Sequence, residues 1–369
     1  MFERRLYFHV DWLLLGAVLL LAGVGLSMIY STTYVTLPDG TGHPGARFWV
    51  QLYAVGLGAL ALIVFLALDY RFLAEHSLFL YGGLVLLLVY VLVNGVRAGG
   101  STRWISLGVF NLQPSEFARL ALALILAMYF GENRRGARNY GDLIIAGLFF
   151  LVPFLLIAKE PDLGTAVTLV PVWFGIADLA GLRLRLIAIV AIAAVLLAPV
   201  AWKVALKDYQ KARINTFLDP EKDARGAGYQ QIQARITVGS GGWDGKGFMK
   251  GTQGQYKFLP VADNDFIFSV LAEEQGFIGV IVTLGLYLFV IFRSLEAARL
   301  AKDRIGAYLV GGIISGFAFQ VIYNITMSAG LAPVKGLTLP LMSYGGSSMI
   351  ATLAAFGLIL NVRMRRFTN

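Results

Sequence analysis

The chain has 369 residues, of which 57% are hydrophobic and only 14% are charged, and its mean hydropathy is +0.70. A soluble domain carries about 25% charged residues, so this composition excludes an ordinary soluble protein and favours one that crosses a membrane many times. Cysteine is absent, which excludes disulfides and thiolate metal sites.

Ten apolar runs are long enough to cross a bilayer as helices, which takes about 17–25 residues each. Arg4 and Arg5 precede the first run, which is too long for the apolar part of a signal peptide and is predicted to remain as a span. We therefore expect an all-α, polytopic membrane protein that forms a single membrane domain over residues 1–369. The predicted spans are roughly 12–33, 47–68, 76–96, 114–130, 142–158, 163–180, 186–202, 266–292, 305–328 and 345–362.

The positive charges divide unequally between the two ends of these spans. One end, which receives both termini and the loops near 69–75, 131–141, 181–185 and 293–304, holds fifteen Lys and Arg residues. The other end, without its one long loop, holds five. Because short cytoplasmic loops are enriched in Lys and Arg, both termini are predicted to be cytoplasmic. The net charge of +9 thus reflects membrane orientation, and no nucleic-acid partner is expected.

Charged residues within or beside the apolar runs are candidates for function, because charge is costly in a bilayer. Glu116 and Arg119 lie three residues apart near the predicted outer end of the fourth span, so they share one helix face. Lys159, Glu160 and Asp162 occupy the tight turn between the fifth and sixth spans. The alternative for each group is a structural ion pair that joins helices.

A polar stretch, 203–265, separates the seventh and eighth spans and is predicted to form a large extracytoplasmic loop. Its first part, 203–217, alternates cations with apolar residues, as an interfacial amphipathic helix does. Further along, cations such as Lys246 stand among many glycines. Together with Arg213 they suit an anionic head group such as a pyrophosphate. The alternative is a basic loop that only solvates itself.

Asp265 ends this loop and is followed directly by the apolar residues Phe266, Ile267 and Phe268. A carboxylate at the mouth of a span, with no cation at helical spacing to pair with it, is the strongest single candidate for a catalytic group. Glu273 and Glu274 follow about two turns later and are expected near the middle of the membrane. There they either take part in function or join helices.

The segment 330–348, which precedes the last span, is largely apolar and contains two prolines and paired glycines. Irregular backbone at membrane depth is tolerated where it is buried in protein or lines a cavity. We therefore predict a re-entrant segment, with Ser343 and Gly345 near the other polar groups.

Six short motifs follow one another along the chain. They are Arg103-Trp104-Ile105 with Gln113-Pro114-Ser115-Glu116-Phe117, Glu160-Pro161-Asp162-Leu163-Gly164-Thr165, Arg213-Ile-Asn-Thr-Phe-Leu-Asp-Pro220, Gly226-Ala-Gly-Tyr-Gln-Gln231, Asp265-Phe-Ile-Phe268, and Gly336-Leu-Thr-Leu-Pro340 through Ser343-Tyr-Gly-Gly-Ser-Ser348. In this order they resemble the shape, elongation, division and sporulation (SEDS) family, to which RodA and FtsW belong. Gly251-Thr252-Gln253, Gln255 and Leu271-Ala-Glu-Glu274 resemble the RodA, or elongation, branch, whereas Pro333-Val-Lys335-Gly336 resembles the FtsW branch.

The resemblance implies a peptidoglycan glycosyltransferase that joins lipid II units and releases undecaprenyl pyrophosphate. It places the protein in the bacterial inner (cytoplasmic) membrane, in contact with membrane lipid, with its active site on the extracytoplasmic side. It also implies a class B penicillin-binding protein as partner, and it admits a divalent cation, Mg²⁺ or Mn²⁺, with ligands unassigned.

The essential aspartate of the family corresponds to Asp265, which we predict to be the catalytic base. Relatives usually have Glu-x-His-Thr immediately before it, where this chain has Val261-Ala262-Asp263-Asn264, so Asp263 is a candidate to replace a lost carboxylate. The residues predicted to bind substrate are Glu116, Arg119, Lys159, Glu160, Asp162, Arg213, Lys246, Ser343 and Gly345.

Two other classes of function compete with this interpretation. A lipid II flippase would suit broken helices and charges at mid-membrane. Against it, no inverted repeat is clear, and the charged candidates gather near one face. A non-catalytic scaffold for wall synthesis is the second alternative, and it would tolerate loss of Asp265.

Overall fold

The computed structural model describes residues 9–36, 41–98, 101–106, 108, 111–132, 140–181, 192, 196, 208–223, 226–256 and 258–367. Within them the chain is an all-α membrane protein, as predicted, with a few short strands in connecting segments. The helices are α1 (Trp12–Thr33), α2 (Ala46–Ala67), α3 (Tyr70–Glu75), α4 (Ser77–Asn94), α5 (Ala118–Glu132), α6 (Tyr140–Lys159), α7 (Leu163–Leu179), α8 (Asp208–Leu218), α9 (Ala227–Ser240), α10 (Thr252–Gln255), α11 (Ile267–Arg299), α12 (Arg304–Ser328) and α13 (Gly346–Met364).

The remaining regular structure is short. Single 3-10 turns cover Pro114–Phe117, Pro220–Asp223 and Arg365–Phe367. The strands are β1 (Val35–Thr36), β2 (Gly42–His43), β3 (Val96–Ala98), β4 (Ser101–Ser106) and β5 (Asn111–Leu112). They pair antiparallel as β1 with β2 and as β3 with β4 and β5, and β4 carries Arg103 and Trp104 towards the start of α5.

Eight helical segments of the described chain are long and apolar enough to cross a membrane, and α7, with 17 residues, is a shorter apolar helix. These nine correspond to nine of the ten predicted spans. The other predicted span, 186–202, lies outside the described residues apart from positions 192 and 196.

The last two helices form the centre of the bundle. Helix α13 packs along α2, and α12 packs against α5, α7 and α11. At Gly357 of α13 the backbones approach so closely that a Cβ atom would lie 2.6 Å from the carbonyl oxygen of Leu62. Small residues permit such close approach in a bilayer, where van der Waals packing holds helices together. At the periphery, Leu86 and Val93 of α4 are 72% and 76% exposed, as suits side chains that face lipid.

Ion pairs fix one end of the bundle. The carboxylate of Asp11 accepts from Arg293 and from Arg363, each at 2.9 Å. Arg71 donates to Asp303 at 2.8 Å. These contacts bring the start of α1, the α2–α3 connection, the α11–α12 connection and the end of α13 to the same end of the molecule. These four segments are among those that the sequence assigns to the cytoplasmic end, and the side of the membrane on which they lie stays a prediction.

The polar stretch 203–265 contains regular structure at the opposite end. The predicted interfacial helix over 203–217 corresponds to α8, which begins at Asp208, and residues 203–207 lie outside the described part. Helix α9 follows and packs against α11 and α12. We call the end of the bundle that carries α8, α9 and α10 the loop side.

Helix α11 is broken at Gly276, whose φ of +66° and ψ of −165° are not helical. The break lets loop residues hydrogen-bond to the exposed backbone, so that Lys246 N–H donates to the carbonyl of Glu273 at 2.9 Å. The carboxylate of Glu273 accepts from Lys246 Nζ at 2.6 Å, and that of Glu274 accepts from Ser31 at the end of α1. The expectation that both glutamates stand at mid-membrane assumed a straight helix. The structure instead has them join α11 to the loop side.

The predicted re-entrant segment is confirmed as buried, irregular chain between α12 and α13. Its carbonyl oxygens are satisfied by side chains of neighbouring helices: Asn324 donates to Leu337 O at 2.6 Å, and Tyr287 donates to Pro340 O at 2.6 Å. Because lipid offers no hydrogen bonds, such partners are what allow non-helical backbone to lie inside a membrane protein.

Candidate functional site

Asp265 lies on the loop side, two residues before α11 begins, and its side chain is partly exposed. One carboxylate oxygen accepts from Asn264 Nδ2 at 2.8 Å, and Asn324 of α12 donates to its main-chain oxygen at 3.0 Å. Burial raises the pKa of the Asp265 carboxyl to about 6, while the positive charges of Arg103 and Arg213 oppose that rise. A carboxylate tuned in this way is a stronger base than an ordinary aspartate and is still largely ionised at neutral pH.

Asp162 organises the polar groups beside Asp265. It caps the start of α7 through Thr165, whose N–H and hydroxyl donate to it at 3.2 and 2.9 Å. The same carboxylate accepts from Gln113 Nε2 at 2.8 Å and from Arg103 Nη1 at 3.1 Å. Asp162 is buried, and its contact with Arg103 fixes the guanidinium group near Asp265.

Glu160 has a different environment from Asp162, although the two are neighbours in sequence. Its side chain is fully buried, and neither carboxylate oxygen has a hydrogen-bond partner among the described residues. Burial and the charge of Asp162 raise the pKa of Glu160 to about 8, against the opposing effect of Arg103. Glu160 is therefore protonated at neutral pH, and it does not line the cleft beside Asp265.

Glu116 and Arg119 pair at 2.6 Å, as their spacing predicts. Arg119 also donates to Gln320 of α12, and Gln320 in turn donates to the carbonyl of Thr338 at 2.9 Å. The pair thus connects the start of α5 to α12 and to the re-entrant segment. Glu116 lines the cleft next to Asp265 and, with Arg119, a small and mostly apolar cavity of about 40 Å³.

A narrow cleft, with a volume of about 60 Å³, joins these groups on the loop side. Gly336 forms part of its wall with φ of +67°, and a Cβ atom there would lie 3.6 Å from a carboxylate oxygen of Asp265. The cleft is lined by Arg103, Trp104, Gln113, Glu116, Asp162, Thr165, Asn264, Gly336, Thr338, Gly345, Ser347 and Ser348. It is polar, has cations at one edge and adjoins the apolar interior, which suits a ligand with a charged head and a lipid tail.

Other predicted residues occupy distinct positions. Arg213 is exposed and acts on Asp265 through its charge. Gly345 lines the cleft, whereas the buried Ser343 accepts from Leu339 N–H at 2.8 Å and so holds the turn before α13. Lys159 is exposed at the end of α6 and is not among the described residues that line the cleft.

Lys246 lies apart from the Asp265 cleft. Its ammonium group is bound by Glu273 at 2.6 Å and by the hydroxyl of Thr252 at 2.8 Å. A cation held by a fully buried carboxylate has its charge compensated within the protein. Its position favours a role in holding the loop against α11.

Three residues at the site were absent from the predicted set. Arg103 belongs to the Arg103-Trp104-Ile105 motif. It is far from Asp265 in the sequence, so the sequence does not show that the two residues are close in space. Lys335, in the re-entrant segment, lies over the ring of Tyr323, and burial together with the charge of Arg213 lowers the pKa of its amine. Arg47 pairs with Asp263 at 2.7 Å, and only the fold brings the start of α2 to the end of the loop.

The described residues contain no group of three or more His, Cys, Asp or Glu side chains that could hold a metal ion. The nearby carboxylates are already used, since Asp162 binds Arg103, Glu116 binds Arg119 and Asp263 binds Arg47. The chain therefore lacks, in its described part, a cage in which protein side chains alone bind a divalent cation.

Several known proteins are similar to this chain in sequence and in fold. The model of the cell cycle protein family FtsW/RodA/SpoVE matches residues 11–367. The peptidoglycan glycosyltransferase MrdB of Escherichia coli K12 is 37% identical over 314 residues, which cover 85% of this chain and 84% of MrdB. The peptidoglycan glycosyltransferase RodA of Treponema pallidum is 30% identical, with coverage of 96% and 98%.

Two solved structures share the fold. A chain of a peptidoglycan synthase complex, described as coordinating polymerization and crosslinking, superposes with a TM-score of 0.82 at 34% identity, covering 98% of this chain and 99% of that one. The rod shape determining protein RodA of Thermus thermophilus superposes with a TM-score of 0.72 at 30% identity, covering 98% of each chain. Matched over almost its whole length in sequence and in fold, the chain belongs to the FtsW/RodA/SpoVE family.

Proposed function

We propose that the chain is a peptidoglycan glycosyltransferase that polymerises lipid II, with Asp265 as the general base. The observation that carries this proposal is a partly exposed carboxylate with a pKa of about 6, beside Arg103 and Arg213, at the edge of a cleft between helices. The names of the relatives support the same activity. A flippase has no need of a tuned base at one face.

The reaction joins a sugar 4-hydroxyl to an anomeric carbon that carries a lipid pyrophosphate. The acceptor oxygen forms the new bond to the anomeric carbon, the bond from that carbon to the phosphate oxygen breaks, and the electron pair leaves with the pyrophosphate. Asp265 takes the proton of the acceptor hydroxyl. A single displacement of this kind inverts the anomeric centre and needs one base, unlike a retaining reaction with two carboxylates.

The leaving pyrophosphate needs positive charge, and two cations act on Asp265. Arg103 is fixed by Asp162, and Arg213 approaches from α8, where its charge also acts on Lys335 of the re-entrant segment. Guanidinium groups suit phosphate oxygens because they donate two parallel hydrogen bonds. The apolar cavity below Glu116 and Arg119 lies on the side where a polyprenyl chain would enter.

We further propose that a divalent cation, Mg²⁺ or Mn²⁺, is held mainly by the pyrophosphate of the substrate, so that the Asp265 carboxylate stays free to act as the base. Magnesium is commonly bound through one or two carboxylates together with substrate phosphates, so a protein cage is not required. The cation would neutralise pyrophosphate charge. Chelation with EDTA should then abolish polymerisation, and added Mg²⁺ or Mn²⁺ should restore it. Full activity in EDTA would show that the basic side chains suffice.

The loop side would face the extracytoplasmic surface of the bacterial cytoplasmic membrane, where a lipid-linked sugar is available after translocation. We propose a class B penicillin-binding protein as partner, which would crosslink the new strand. We also assign the chain to cell elongation. In support, Thr252 and Gln253, from a motif of the RodA branch, donate their backbone N–H groups to Glu273 at 2.9 and 3.1 Å.

The direct test uses the purified full-length protein with fluorescent lipid II, with and without the purified transpeptidase. The proposal predicts a ladder of glycan strands, and more product with the partner. In parallel, the movement of lipid II between the two leaflets is measured in vesicles that contain the protein. Translocation without any polymer would favour the flippase, and neither activity would favour a scaffold.

A further inference from the structure

A second cleft opens on the loop side, separate from the one beside Asp265. It lies between the end of α1, the start of α2 and the loop segment Met249–Tyr256, and its volume is about 680 Å³. Small-molecule sites usually occupy about 300–1,000 Å³. This cleft is therefore large enough for an extended ligand.

The lining of this cleft mixes polar and apolar groups and is almost uncharged. Of the described residues that line it, Arg47 alone carries a charge, and Asp263 neutralises it through two hydrogen bonds of 2.9 and 2.7 Å. A pyrophosphate or a peptide with free carboxylates would require uncompensated cations. The cleft instead suits a neutral ligand.

Side chains of the kind that bind sugars are exposed in the cleft. Tyr256 is 70% exposed, and Tyr34 stands on the opposite wall. Thr32 and Thr33 donate their hydroxyl protons to main-chain oxygens of α1, which leaves their lone pairs as acceptors. Aromatic rings cover the apolar faces of sugars while hydroxyl groups bind the polar edges.

The two clefts share a thin wall. Asp263 and Tyr344 face Arg47, the first through the salt bridge and the second with its ring 5.6 Å from the guanidinium carbon. Their neighbours in sequence, Asn264 and Gly345, line the cleft beside Asp265. Tyr344 N–H donates to the carbonyl of Asp263 at 2.8 Å, which ties the two parts of the wall together. A ligand that occupied both clefts would pass the Arg47–Asp263 pair.

We propose that this second cleft binds the uncharged sugar backbone of the growing glycan strand, with the stem peptides outside the cleft, so that polymer leaving Asp265 passes the Arg47–Asp263 pair and rests against Tyr256. The inference rests on the proposed polymerase function and adds to it a binding site for product. A strand held here stays beside the base between successive additions.

The test measures binding of a short chain of β-1,4-linked GlcNAc, which has the sugar backbone of the strand and no charge, to the full-length protein in detergent, by saturation-transfer NMR and thermophoresis. Tyr256→Ala removes the aromatic face and should weaken binding about tenfold, as expected for one ring contact. Tyr256→Phe keeps the ring and should bind like the wild type. Trp243→Ala is the matched control, because Trp243 is equally exposed at 71% but packs on Phe277 outside this cleft.

Several outcomes would overturn the inference: no saturable glycan binding to the wild type, equal binding by Tyr256→Ala, or displacement of the glycan by free stem pentapeptide. Lipid II polymerisation is assayed in the same preparations. Glycan binding that depends on Tyr256 without polymerisation would support this site and contradict the polymerase function. Polymerisation without glycan binding would do the reverse.

Discussion

Asp265 differs from the other carboxylates of the loop side in how its charge is compensated. Asp162, Glu116 and Asp263 each hold a direct ion pair, whereas Asp265 accepts a hydrogen bond from Asn264 and is reached by cations only through space. An unpaired carboxylate in a partly buried place binds a proton more tightly, which is what a base needs. The sequence alone predicted this residue, because no cation stands at helical spacing from it.

The pKa of Asp265 leads to a prediction about pH. The base works only when ionised, so the rate of polymerisation should fall as the pH drops through about 6. Arg213→Gln removes a positive charge that lowers this pKa, and the acid limb should therefore move to higher pH. The measurement is initial rate against pH. Lys211→Gln, on the same helix, is the control and should leave the acid limb of the pH–rate profile unchanged. If the acid limb also stays unchanged in Arg213→Gln, the assignment of Asp265 as the base is contradicted.

Individual contacts show what residue spacing can and cannot predict. Glu116 and Arg119 were predicted to pair because three residues place them on one helix face. The partners of Lys246 and Arg47 come from positions 27 and 216 residues away, and no local pattern encodes such distances. For that reason Lys246 was predicted to bind substrate, although in the structure it holds Glu273.

At the scale of elements, the break in α11 decides how the loop meets the membrane domain. The predicted span 266–292 was treated as one continuous helix. Gly276 lies within it, and no proline stands nearby to indicate a break. The break requires a positive φ at Gly276 and room for the loop backbone that packs against it. A Cβ atom at Gly276 would lie 2.2 Å from Gly245 N. The apolar periodicity predicted the helix, but tertiary contacts set its break.

Gly276→Ala should destabilise the protein by at least about 2 kcal/mol, because it combines strain at positive φ with a clash against backbone. The measurement is the thermal unfolding midpoint in detergent. Gly285→Ala is the matched control, since Gly285 lies in the same helix and has no atom within 4 Å of a Cβ position. Equal midpoints for the two variants would mean that the break at Gly276 is not required.

At the scale of the whole molecule, hydrophobic length and charge asymmetry predicted the bundle and its two ends. Nine predicted spans correspond to helices, and the ion pairs of Asp11, Arg71 and Arg363 gather the segments that were assigned to one end. The re-entrant segment was also predictable from its apolar, Pro- and Gly-rich composition. The approach of Arg103 and Arg213 to Asp265 was not predictable, because it depends on how segments far apart in sequence pack together.

The orientation can be tested directly because the chain has no cysteine. Cysteines replace Asp244, exposed in the loop, or Lys302, exposed in the α11–α12 connection. In intact cells a membrane-impermeant maleimide should label Asp244→Cys, whereas Lys302→Cys should react only after the membrane is opened. The unsubstituted chain is the control. Labelling of both variants from outside would contradict the proposed orientation.

The central claim is that the Asp265 carboxylate is the base for glycan polymerisation, and Asp265→Asn tests it most directly. The substitution keeps the shape and removes the charge at a partly exposed position, so the variant should elute as a folded protein and still bind its partner. Its initial rate of lipid II polymerisation should fall at least about a hundredfold. Asp263→Asn, measured alongside, should lose less. A rate for Asp265→Asn close to that of the wild type, with Asp263→Asn inactive, would contradict the claim.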